Sequence, residues 1–355
     1  MKHEELLSKL TPEEKAALLS GKTVWQTRDI PRLKIPSIFL SDGPHGIRKQ
    51  AGAGDHLGLN ASLKATCFPT AATIANSWDP DLGEEIGKAL GEEAAAQDVN
   101  IVLGPGLNMK RSPLCGRNFE YFSEDPYLAG KMAAAYVRGI QSQGVYACPK
   151  HFAVNSQEER RMAMDAVVDE RTLREIYLTG FEIAVKEADP WTIMSSYNLI
   201  NGIETSENSE LLTDILRGEW GFNGLVETDW GNNSNHAFEL KAGNDVKMPS
   251  GSPSTLQSAF EKGFITRDDL ERSAERLMNL IMKVNVFQDK IANPITVDIG
   301  DNTTFKAAEN ILWSETARAE ATSDVDGGNN LGYCHAGAWV EYHINVLTSG
   351  SYNLS

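Results

Sequence analysis

The stretch Leu225-Val-Glu-Thr-Asp-Trp230 is a short apolar run that ends in a carboxylate and an aromatic ring. A run of this kind is typical of a buried strand, and the residues before it have helical spacing. The same order, a helix and then a short apolar run, recurs upstream at 145–148 and 192–194. Strands separated by helical stretches indicate βα units and a mainly parallel sheet.

Predicted strands and helices alternate over most of the chain. The predicted strands are 37–40, 100–103, 145–148, 192–194, 225–227 and 245–248. The predicted helix caps are Thr11, Asp79, Asp125, Asp169, Ser209 and Thr266. Six or seven such units predict an α/β fold, a TIM-like (β/α)8 barrel, with a doubly wound sheet as the alternative. No GxGxxG or P-loop motif follows a predicted strand, which disfavours a nucleotide site.

The chain changes character after Phe287, where the barrel domain, 1–288, is predicted to end. Residues 289–306 are polar and contain the turn-forming pair Asn293-Pro294, so they are interpreted as a linker. Residues 307–355 include stretches that alternate as strands do. About fifty residues are too few for an independent β domain, so they predict a partial all-β, jelly-roll-like segment.

Composition excludes several classes of function. The 49 acidic and 33 basic residues leave a net charge of −16, which argues against a nucleic-acid partner. The apolar runs are too short to span a membrane, and the charged N-terminus lacks a signal peptide, so a cytoplasmic location is expected. The cysteines are isolated and are predicted to be free thiols: Cys67, Cys115, Cys148 and Cys334. No metal motif is present.

Polar and charged side chains follow the ends of different predicted strands. They are Asp42, Arg117, Lys150 with His151, Tyr197, and Asp229 with Trp230. In a barrel those ends converge on one face, where active sites are built. Each residue alone has an ordinary explanation, because such an aspartate often caps a helix and such a lysine is usually solvated. Together they favour one common site.

These residue types suit a sugar ligand. Arginine, lysine, histidine and aspartate bind the hydroxyl groups of a polyhydroxylated ring, and Trp230 offers a flat apolar face to its C–H surface. A carboxylate in such a site can attack an anomeric carbon and form a covalent glycosyl-enzyme. The neighbouring cations Lys150 and Arg117 are expected to keep that carboxylate ionised.

Five segments match a known family in its own order, over roughly residues 5–287. They are Ser41-Asp-Gly-Pro-His-Gly-Ile-Arg48, the stretch 104–126 with Gly116-Arg-Asn-Phe-Glu-Tyr-Phe-Ser-Glu-Asp-Pro126, Lys150-His-Phe-Ala-Val-Asn155, Met194-Ser-Ser-Tyr-Asn198 and Glu227-Thr-Asp-Trp230. The chain thereby resembles glycoside hydrolase family 3, in its β-glucosidase branch. The resemblance implies a barrel-like first domain and a retaining, two-step mechanism on β-linked glucosides, without a cofactor.

The resemblance also assigns roles to individual residues. Asp229 falls on the nucleophile, and Trp230 matches the residue beside it. The positions that hold the glycone sugar are Asp42, Arg117, Lys150, His151, Arg161 and Tyr197.

The general acid/base is the point at which the chain departs from the family. In the β-glucosidase branch this residue is a glutamate on a following α/β sandwich domain. A single-domain branch uses an Asp–His pair after the Lys-His motif, but here that stretch reads Asn155-Ser-Gln-Glu-Glu-Arg-Arg161. Glu158 and Glu159 are interpreted as helix-surface charges, so no acid/base is assigned.

The C-terminal segment resembles the opening part of a family 6 carbohydrate-binding module. The matching residues are Ala308-Glu-Asn310, Gly327 to Tyr333 and Gly337-Ala-Trp-Val-Glu-Tyr342. The resemblance implies that Tyr333 contributes to a sugar-stacking cleft and that Glu309 binds a structural calcium. More than half of the module is absent from the sequence, so neither function is expected of this chain.

Three functions remain as hypotheses. The first is retaining hydrolysis of β-glucosides, with cellobiose-like or aryl β-glucosides as substrates. The second is sugar binding without turnover, because the acid/base is absent. The third is a class I aldolase-like barrel with Lys150 as a Schiff-base lysine, which leaves the Thr228-Asp-Trp230 segment unexplained.

Overall fold

The structure is a computed structural model that describes residues 3–52, 54, 55, 59–249 and 251–292, and six short strands between residues 297 and 346. The chain divides into two compact units, Met1–Val284 and Asn285–Ser355. All the residues proposed for the barrel site lie in the first unit.

Short strands and longer helices alternate in the first unit, as predicted. The helices are His3–Lys9, Pro12–Leu18, Ala71–Ala75, Pro80–Ala96, Pro126–Gln141, a continuous run of Glu170–Thr172, Leu173–Leu178 and Thr179–Ala188, then Glu210–Glu219, His236–Ala242, Pro253–Glu261 and Arg267–Ala292. The strands are Leu40–Ser41, Ile101–Val102, Tyr146–Ala147, Asp165–Ala166, Thr192–Ser195, Leu199–Ile200, Ile203–Glu204 and Leu225–Thr228. Single 3-10 turns occupy Pro31–Leu33 and Thr205–Glu207.

Five of the six predicted helix caps are confirmed. The side chains that accept a hydrogen bond from a backbone N–H of the first helical turn belong to Thr11, Asp79, Asp125, Asp169 and Thr266. The cap predicted at Ser209 is wrong, because its side chain makes no capping bond. Asn208 Oδ1 instead accepts from Leu211 N at 3.0 Å, because Asn208 has the extended backbone of a capping residue, whereas Ser209 is already helical.

Parallel pairing connects the strands one after another. Leu40–Ser41 pairs with Ile101–Val102, which pairs with Tyr146–Ala147. Beyond that strand, Met194 N donates to the Pro149 carbonyl at 3.1 Å, which brings in Thr192–Ser195. That strand pairs in parallel with Leu225–Thr228, and a parallel bridge from Glu227 to Val246 extends the series.

The segment from Ser20 to Gln26 connects the two ends of this series. Ser20 forms a parallel bridge with Lys247, and Gln26 forms an antiparallel bridge with Phe39. In the described part of the chain, six parallel members and this N-terminal segment therefore form a ring. The fold is α/β and TIM-barrel-like, and the count of eight units stays a prediction.

Most strands are shorter than predicted. The strand predicted at 37–40 is Leu40–Ser41 in the structure, and the one predicted at 100–103 is Ile101–Val102. Asn100 Oδ1 accepts from Phe39 N at 2.8 Å, so a side chain replaces backbone pairing at this point. The stretch 245–248 contributes single bridges rather than a continuous strand.

Alternate strand residues enter two separate hydrophobic clusters. Ile101 and Leu225 pack in the cluster that contains Leu277, from the last helix. Val102 and Val226 pack in the other cluster, with side chains of the helices that follow the strands. Both faces of these strands are therefore buried, because side chains alternate along a strand, and this explains why the strands are continuously apolar.

The helices Pro80–Ala96 and Pro126–Gln141 pack closely, because each has a glycine at the point where it meets the backbone of the other. A Cβ atom on Gly87 would lie 2.4 Å from the Tyr136 carbonyl oxygen, and one on Gly139 would lie 2.2 Å from that of Glu84. Backbone atoms cannot move aside as a side chain can, so the approach requires glycine at both positions.

Gly87→Ala is expected to destabilise the first unit by about 1–3 kcal/mol. The overpacking against the Tyr136 carbonyl outweighs the roughly 1 kcal/mol that alanine gains over glycine in a helix. Gly83→Ala is the matched control, since its Cβ would first meet the mobile end of Met132 at 3.2 Å. Urea unfolding of both variants measures the difference, and equal stability would contradict the close packing.

After the end of the helix Arg267–Ala292, the described part of the second unit consists of short strands in three pairs. Leu312–Trp313 pairs with Val340–Glu341 and Arg318–Ala321 with Asn329–Gly332, both antiparallel. Val297–Ile299 pairs in parallel with Ile344–Val346. Tyr333, Glu309 and Cys334 lie outside the described residues. Cys67, Cys115 and Cys148 are free, as predicted.

None of the helices among the described residues combines the length and the apolar character that a membrane crossing requires.

Candidate active site

The predicted site residues lie where the strands end. Lys150 and His151 follow Tyr146–Ala147, and Asp229 and Trp230 follow Leu225–Thr228. Asp42 and Tyr197 take the same place after their own strands, and Arg117 lies in the long loop after Ile101–Val102. Hydrogen bonds and ion pairs connect these side chains to one another, as expected for the carboxyl ends of parallel strands.

Asp229 is buried, with 7% of its surface exposed. Its Oδ1 accepts a hydrogen bond from the Trp230 backbone N–H at 2.7 Å. Its Oδ2 lies 3.6 Å from His151 Nε2 and has no hydrogen-bond partner among the described residues. One carboxylate oxygen is thus held in place while the other is left available for chemistry.

His151 is held on its backbone and on its ring. Asn108 accepts from the His151 backbone N–H at 2.9 Å and donates to the His151 carbonyl at 2.8 Å. On the ring, Nδ1 lies 3.0 Å from the Tyr121 hydroxyl. Burial, with the charges of Arg117 and Lys150, lowers the pKa of His151 well below its ordinary value, so the imidazole is neutral.

The cations of the site pair with carboxylates other than Asp229. Lys150 Nζ lies 3.0 Å from Asp42 Oδ1 and 3.8 Å from Glu120 Oε2. Arg117 donates to Glu120, and Arg48 donates to the second oxygen of Asp42 at 3.1 Å. The sequence did not single out Glu120, although its place three residues after Arg117 in the matched segment is a signal that could have identified it.

These pairs set the charges of Asp42 and Lys150. Burial alone raises the pKa of Asp42, but Lys150 and Arg48 lower it to about 2. Burial alone lowers the pKa of Lys150, but Asp42 and Glu120 raise it above its ordinary value. Lys150 therefore carries a charge at neutral pH, whereas a Schiff-base lysine must be a free amine, which disfavours the aldolase hypothesis.

The charges of Lys150 and Arg117 lower the pKa of Asp229, as predicted, but burial acts against them, and an ionised Asp229 stays a prediction. Burial raises the pKa of Asp229, and the charges of Arg117 and Lys150 counter only part of this effect. Both cations act in the expected sense, but the pairs with Asp42 and Glu120 neutralise much of their charge.

Arg161 lies over the ring of Tyr197, with Cζ 4.7 Å from the ring centroid. The Tyr197 hydroxyl donates to the Trp230 carbonyl at 2.5 Å. Arg161 also donates to Glu158 Oε2 at 2.9 Å. Glu158 lies in a loop, so its interpretation as a charge on a helix surface is wrong, as it is for the exposed Glu159.

Trp230 is mostly covered by another indole. Its ring centroid lies 5.5 Å from that of Trp25, its Nε1 donates to the Val24 carbonyl at 2.6 Å, and 7% of its surface is exposed. The sequence did not identify Trp25, which is about 200 positions away along the chain. Little of the Trp230 ring is left to contact a sugar, in contrast to the expected open face.

Glu227 is a second buried carboxyl group, two residues before Asp229 on the same strand. Cys148 Sγ donates to its Oε1 at 3.1 Å, and its Oε2 has no hydrogen-bond partner among the described residues. Burial raises the pKa of Glu227 from its ordinary 4.5 to about 8. Glu227 is therefore a neutral acid at pH 7, and the sequence did not single it out.

Glu227→Gln is expected to gain stability relative to the native chain as the pH rises. Because the pKa of Glu227 is raised in the folded state, its neutral form stabilises the native chain fully below about pH 4.5. This contribution to the free energy of unfolding is lost as the pH rises from there to about 8. Each pKa unit corresponds to about 1.4 kcal/mol, so the difference reaches several kcal/mol at most. Urea unfolding at pH 5 and pH 9 measures it. Glu85→Gln, on an exposed helix face, is the control, and a difference independent of pH would contradict a neutral Glu227.

Comparison with known proteins places this geometry in a family. The Glycosyl hydrolase family 3 N terminal domain matches residues 20–280. A thermostable beta-glucosidase B of Acetivibrio thermocellus is 50% identical over 298 residues, which are 81% of this chain and 40% of that protein. An exo-alpha-(1->6)-L-arabinopyranosidase of Bifidobacterium longum is 45% identical over 301 residues, 84% of this chain and 40% of that protein.

Solved structures of beta-glucosidases have the same fold as the matched part of this chain. Beta-glucosidase 3B of Thermotoga neapolitana, in complex with alpha-D-glucose, superposes with a TM-score of 0.76 at 40% identity, over 81% of this chain and 44% of that one. The chain spans about two fifths of the length of these curated relatives. Half of the 298 aligned residues are identical in the first relative, and the family match over residues 20–280 includes the site. The chain therefore belongs to glycoside hydrolase family 3 and contains its N-terminal domain.

Proposed function

We propose that this chain supplies the nucleophile and the glycone subsite for retaining hydrolysis of terminal β-D-glucosides. The observation that carries the proposal is Asp229, whose Oδ2 is buried, without a hydrogen-bond partner among the described residues, and 3.6 Å from a neutral histidine. The proposal is supported by relatives that are named beta-glucosidases at 40–50% identity.

The first chemical step is a displacement at the anomeric carbon. Asp229 Oδ2 attacks this carbon, the bond to the glycosidic oxygen breaks, and a glycosyl ester forms on Asp229. Water then attacks the same carbon, releases the sugar with its original configuration, and restores the carboxylate. Oδ1 stays bonded to the Trp230 N–H at 2.7 Å, which orients the attacking oxygen.

The charged side chains around Asp229 bind the glycone. The pair of Lys150 and Asp42, 3.0 Å apart, presents a donor and an acceptor side by side, as a sugar with neighbouring hydroxyl groups requires. Arg117, His151, Arg161 and Tyr197 complete the set of polar groups. We propose cellobiose-like or aryl β-glucosides as substrates, with the glycone in this subsite.

The general acid that protonates the leaving group is not assigned to a residue of this chain. Glu158 is occupied by Arg161 at 2.9 Å and by Asn155 at 3.2 Å, which suits a structural role. Protonation matters most for poor leaving groups, so glucosides with activated leaving groups need it little.

The test is covalent labelling with an activated 2-deoxy-2-fluoro-β-glucoside. Its leaving group departs without acid assistance, so the reaction reports the nucleophile and the glycone subsite alone. Intact mass followed by peptide mapping should show a single adduct on the peptide that contains Asp229. The corresponding α-L-arabinopyranoside probe, run in parallel, tests whether the glycone preference follows the Bifidobacterium relative instead.

A sugar-binding chain without turnover is the second candidate, because no described residue is assigned as the general acid. It predicts that glucose binds, as measured by calorimetry, while the folded protein is not labelled. A labelled Asp229 with slow release of aryl glucosides would exclude this candidate.

We also propose that residues 307–355 form the beginning of a family 6 carbohydrate-binding module, in which Tyr333 takes the place of a residue of the sugar cleft. The proposal is supported by the matching residues of the segment and by the antiparallel pairs described around it. Because no sugar binding is expected of this segment, cellulose pull-down should retain the native chain and Tyr333→Ala equally, and weaker retention of Tyr333→Ala would contradict that expectation.

A further inference from the structure

We propose that Tyr121 is a positioning residue that holds His151 in the tautomer with its proton on Nε2, the nitrogen that faces Asp229. The inference rests on the proposed function, in which Asp229 is the nucleophile. Tyr121 is fully buried and contacts the imidazole ring on the side away from Asp229, through its hydroxyl group.

The position of the His151 ring follows from contacts on both sides. Asn108 binds the N–H and the carbonyl of the His151 backbone, at 2.9 and 2.8 Å, so the backbone of His151 is held in place. The Tyr121 hydroxyl lies 3.0 Å from Nδ1, and Asp229 Oδ2 lies 3.6 Å from Nε2. With the ring located, the remaining variable is which nitrogen carries the proton.

Only one proton is available to the two nitrogens. Burial and the charges of Arg117, Lys150 and Arg161 lower the pKa of His151, which makes the ring neutral. Burial raises the pKa of Tyr121 well above its ordinary value, so the phenol keeps its proton. A neutral imidazole needs one donor and one acceptor as neighbours, and the two neighbours are a phenol and a carboxylate.

The two tautomers differ in how these neighbours are satisfied. With the proton on Nδ1, the lone pair of Nε2 would face the electron-rich Oδ2 of Asp229, which is repulsive. With the proton on Nε2, the Tyr121 hydroxyl donates to Nδ1, and the N–H points toward Oδ2. The phenol could also accept from Nδ1–H, but its own proton would then have no acceptor among the described residues, since Nδ1 is the partner of this buried hydroxyl. Tyr121 therefore favours the second arrangement, together with Asp229.

This tautomer bears on the reaction. A fixed Nε2–H is a donor beside the attacking oxygen and can bind the carboxylate, or a sugar hydroxyl placed against it, without reorganisation. If the proton moves to Nδ1, the same position becomes an acceptor and the subsite loses that donor. Tyr121 acts through His151 and does not itself touch the reacting atoms.

Tyr121→Phe isolates the hydroxyl group. The ring of Tyr121 packs edge-on against His151 with centroids 6.1 Å apart, and phenylalanine retains that contact. Tyr136→Phe is the matched control. It removes a buried hydroxyl that donates to the Pro44 carbonyl at 2.7 Å, without a contact to His151.

The experiment has two independent readouts on the full chain. The first is long-range ¹⁵N–¹H NMR of protein labelled in its histidines, with His151→Gln used to assign the signals of His151. The native chain and Tyr136→Phe should show the Nε2–H pattern, and Tyr121→Phe should show a mixture of tautomers. The second is the rate of labelling by the fluoroglucoside, which should fall in Tyr121→Phe. We expect a roughly tenfold to hundredfold decrease, the range seen when the hydrogen-bond partner that orients a histidine in a metal site is removed.

The outcomes separate this inference from the proposed function. An Nδ1–H pattern in the native chain, or an unchanged tautomer in Tyr121→Phe, would overturn the role of Tyr121 whether or not labelling occurs. Labelling of Tyr121→Phe at the rate of Tyr136→Phe would overturn its bearing on the reaction. Failure of the native chain to label, with the Nε2–H pattern present, would count against the proposed function and leave the positioning role supported.

Discussion

Asp229→Asn is expected to abolish covalent labelling by the activated fluoroglucoside, with a rate at least about a thousandfold below that of the native chain. The amide has nearly the shape of the carboxylate and can still accept the Trp230 N–H, so the fold is retained. It lacks the negative charge that attacks the anomeric carbon, and no glycosyl ester can form. Time-resolved intact mass spectrometry measures the rate of adduct formation.

Asp125→Asn is the matched control for this substitution. Asp125 caps the helix Pro126–Gln141 by accepting from Leu128 N at 2.7 Å, and asparagine caps a helix about as well as aspartate. The control should label at the native rate. An adduct of undiminished yield in Asp229→Asn, or one that maps to the peptide of Glu120 or Glu158, would assign the nucleophile to another carboxylate.

Lys150→Met is expected to lower both stability and labelling. Lys150 is 4% exposed and pairs with Asp42 and Glu120, so its removal leaves two carboxylates with one cationic partner each. Breaking a buried pair on one side costs about 3–5 kcal/mol, and the partners Arg48 and Arg117 place the expected loss at the lower end. The glycone also loses a charged donor, so the rate of labelling should fall about a hundredfold or more.

Lys15→Met separates the two effects of the Lys150 substitution. Lys15 is also buried, and its Nζ binds Glu271 Oε1 at 2.6 Å in a contact between the helices Pro12–Leu18 and Arg267–Ala292. Urea unfolding should show a smaller loss, because Glu271 is partly exposed and can be hydrated. Its labelling rate should be native. If Lys150→Met labels as fast as Lys15→Met, Lys150 serves the fold and not the glycone.

Local chemistry in the sequence was sufficient for much of the fold. The caps at Thr11, Asp79, Asp125, Asp169 and Thr266 were predicted correctly, because a capping side chain acts within three residues of its own position. The alternation of strands and helices was also readable, since both faces of these strands are apolar. The first and last residues of the strands could not be read from the sequence, because pairing depends on side chains such as that of Asn100, which replaces a backbone hydrogen bond.

Some residues of the candidate site could be predicted from the sequence, and others could be found only in the structure. The residues at strand ends were found from the sequence, because the carboxyl ends of parallel strands converge whatever the details of packing. Glu120, Trp25 and Tyr121 were not found, since their roles arise from contacts with Lys150, Trp230 and His151 at other points of the chain.

The sequence by itself determined which chemistry is available: an aspartate, several cations and a histidine at the ends of parallel strands, within a glycoside hydrolase family 3 N-terminal domain. The tertiary structure alone decided their protonation. It paired Lys150 and Arg117 with Asp42 and Glu120, left Asp229 with a raised pKa, and kept His151 and Glu227 neutral. The reason is physical: burial and charge pairing depend on distances in space, which separation along the chain does not give.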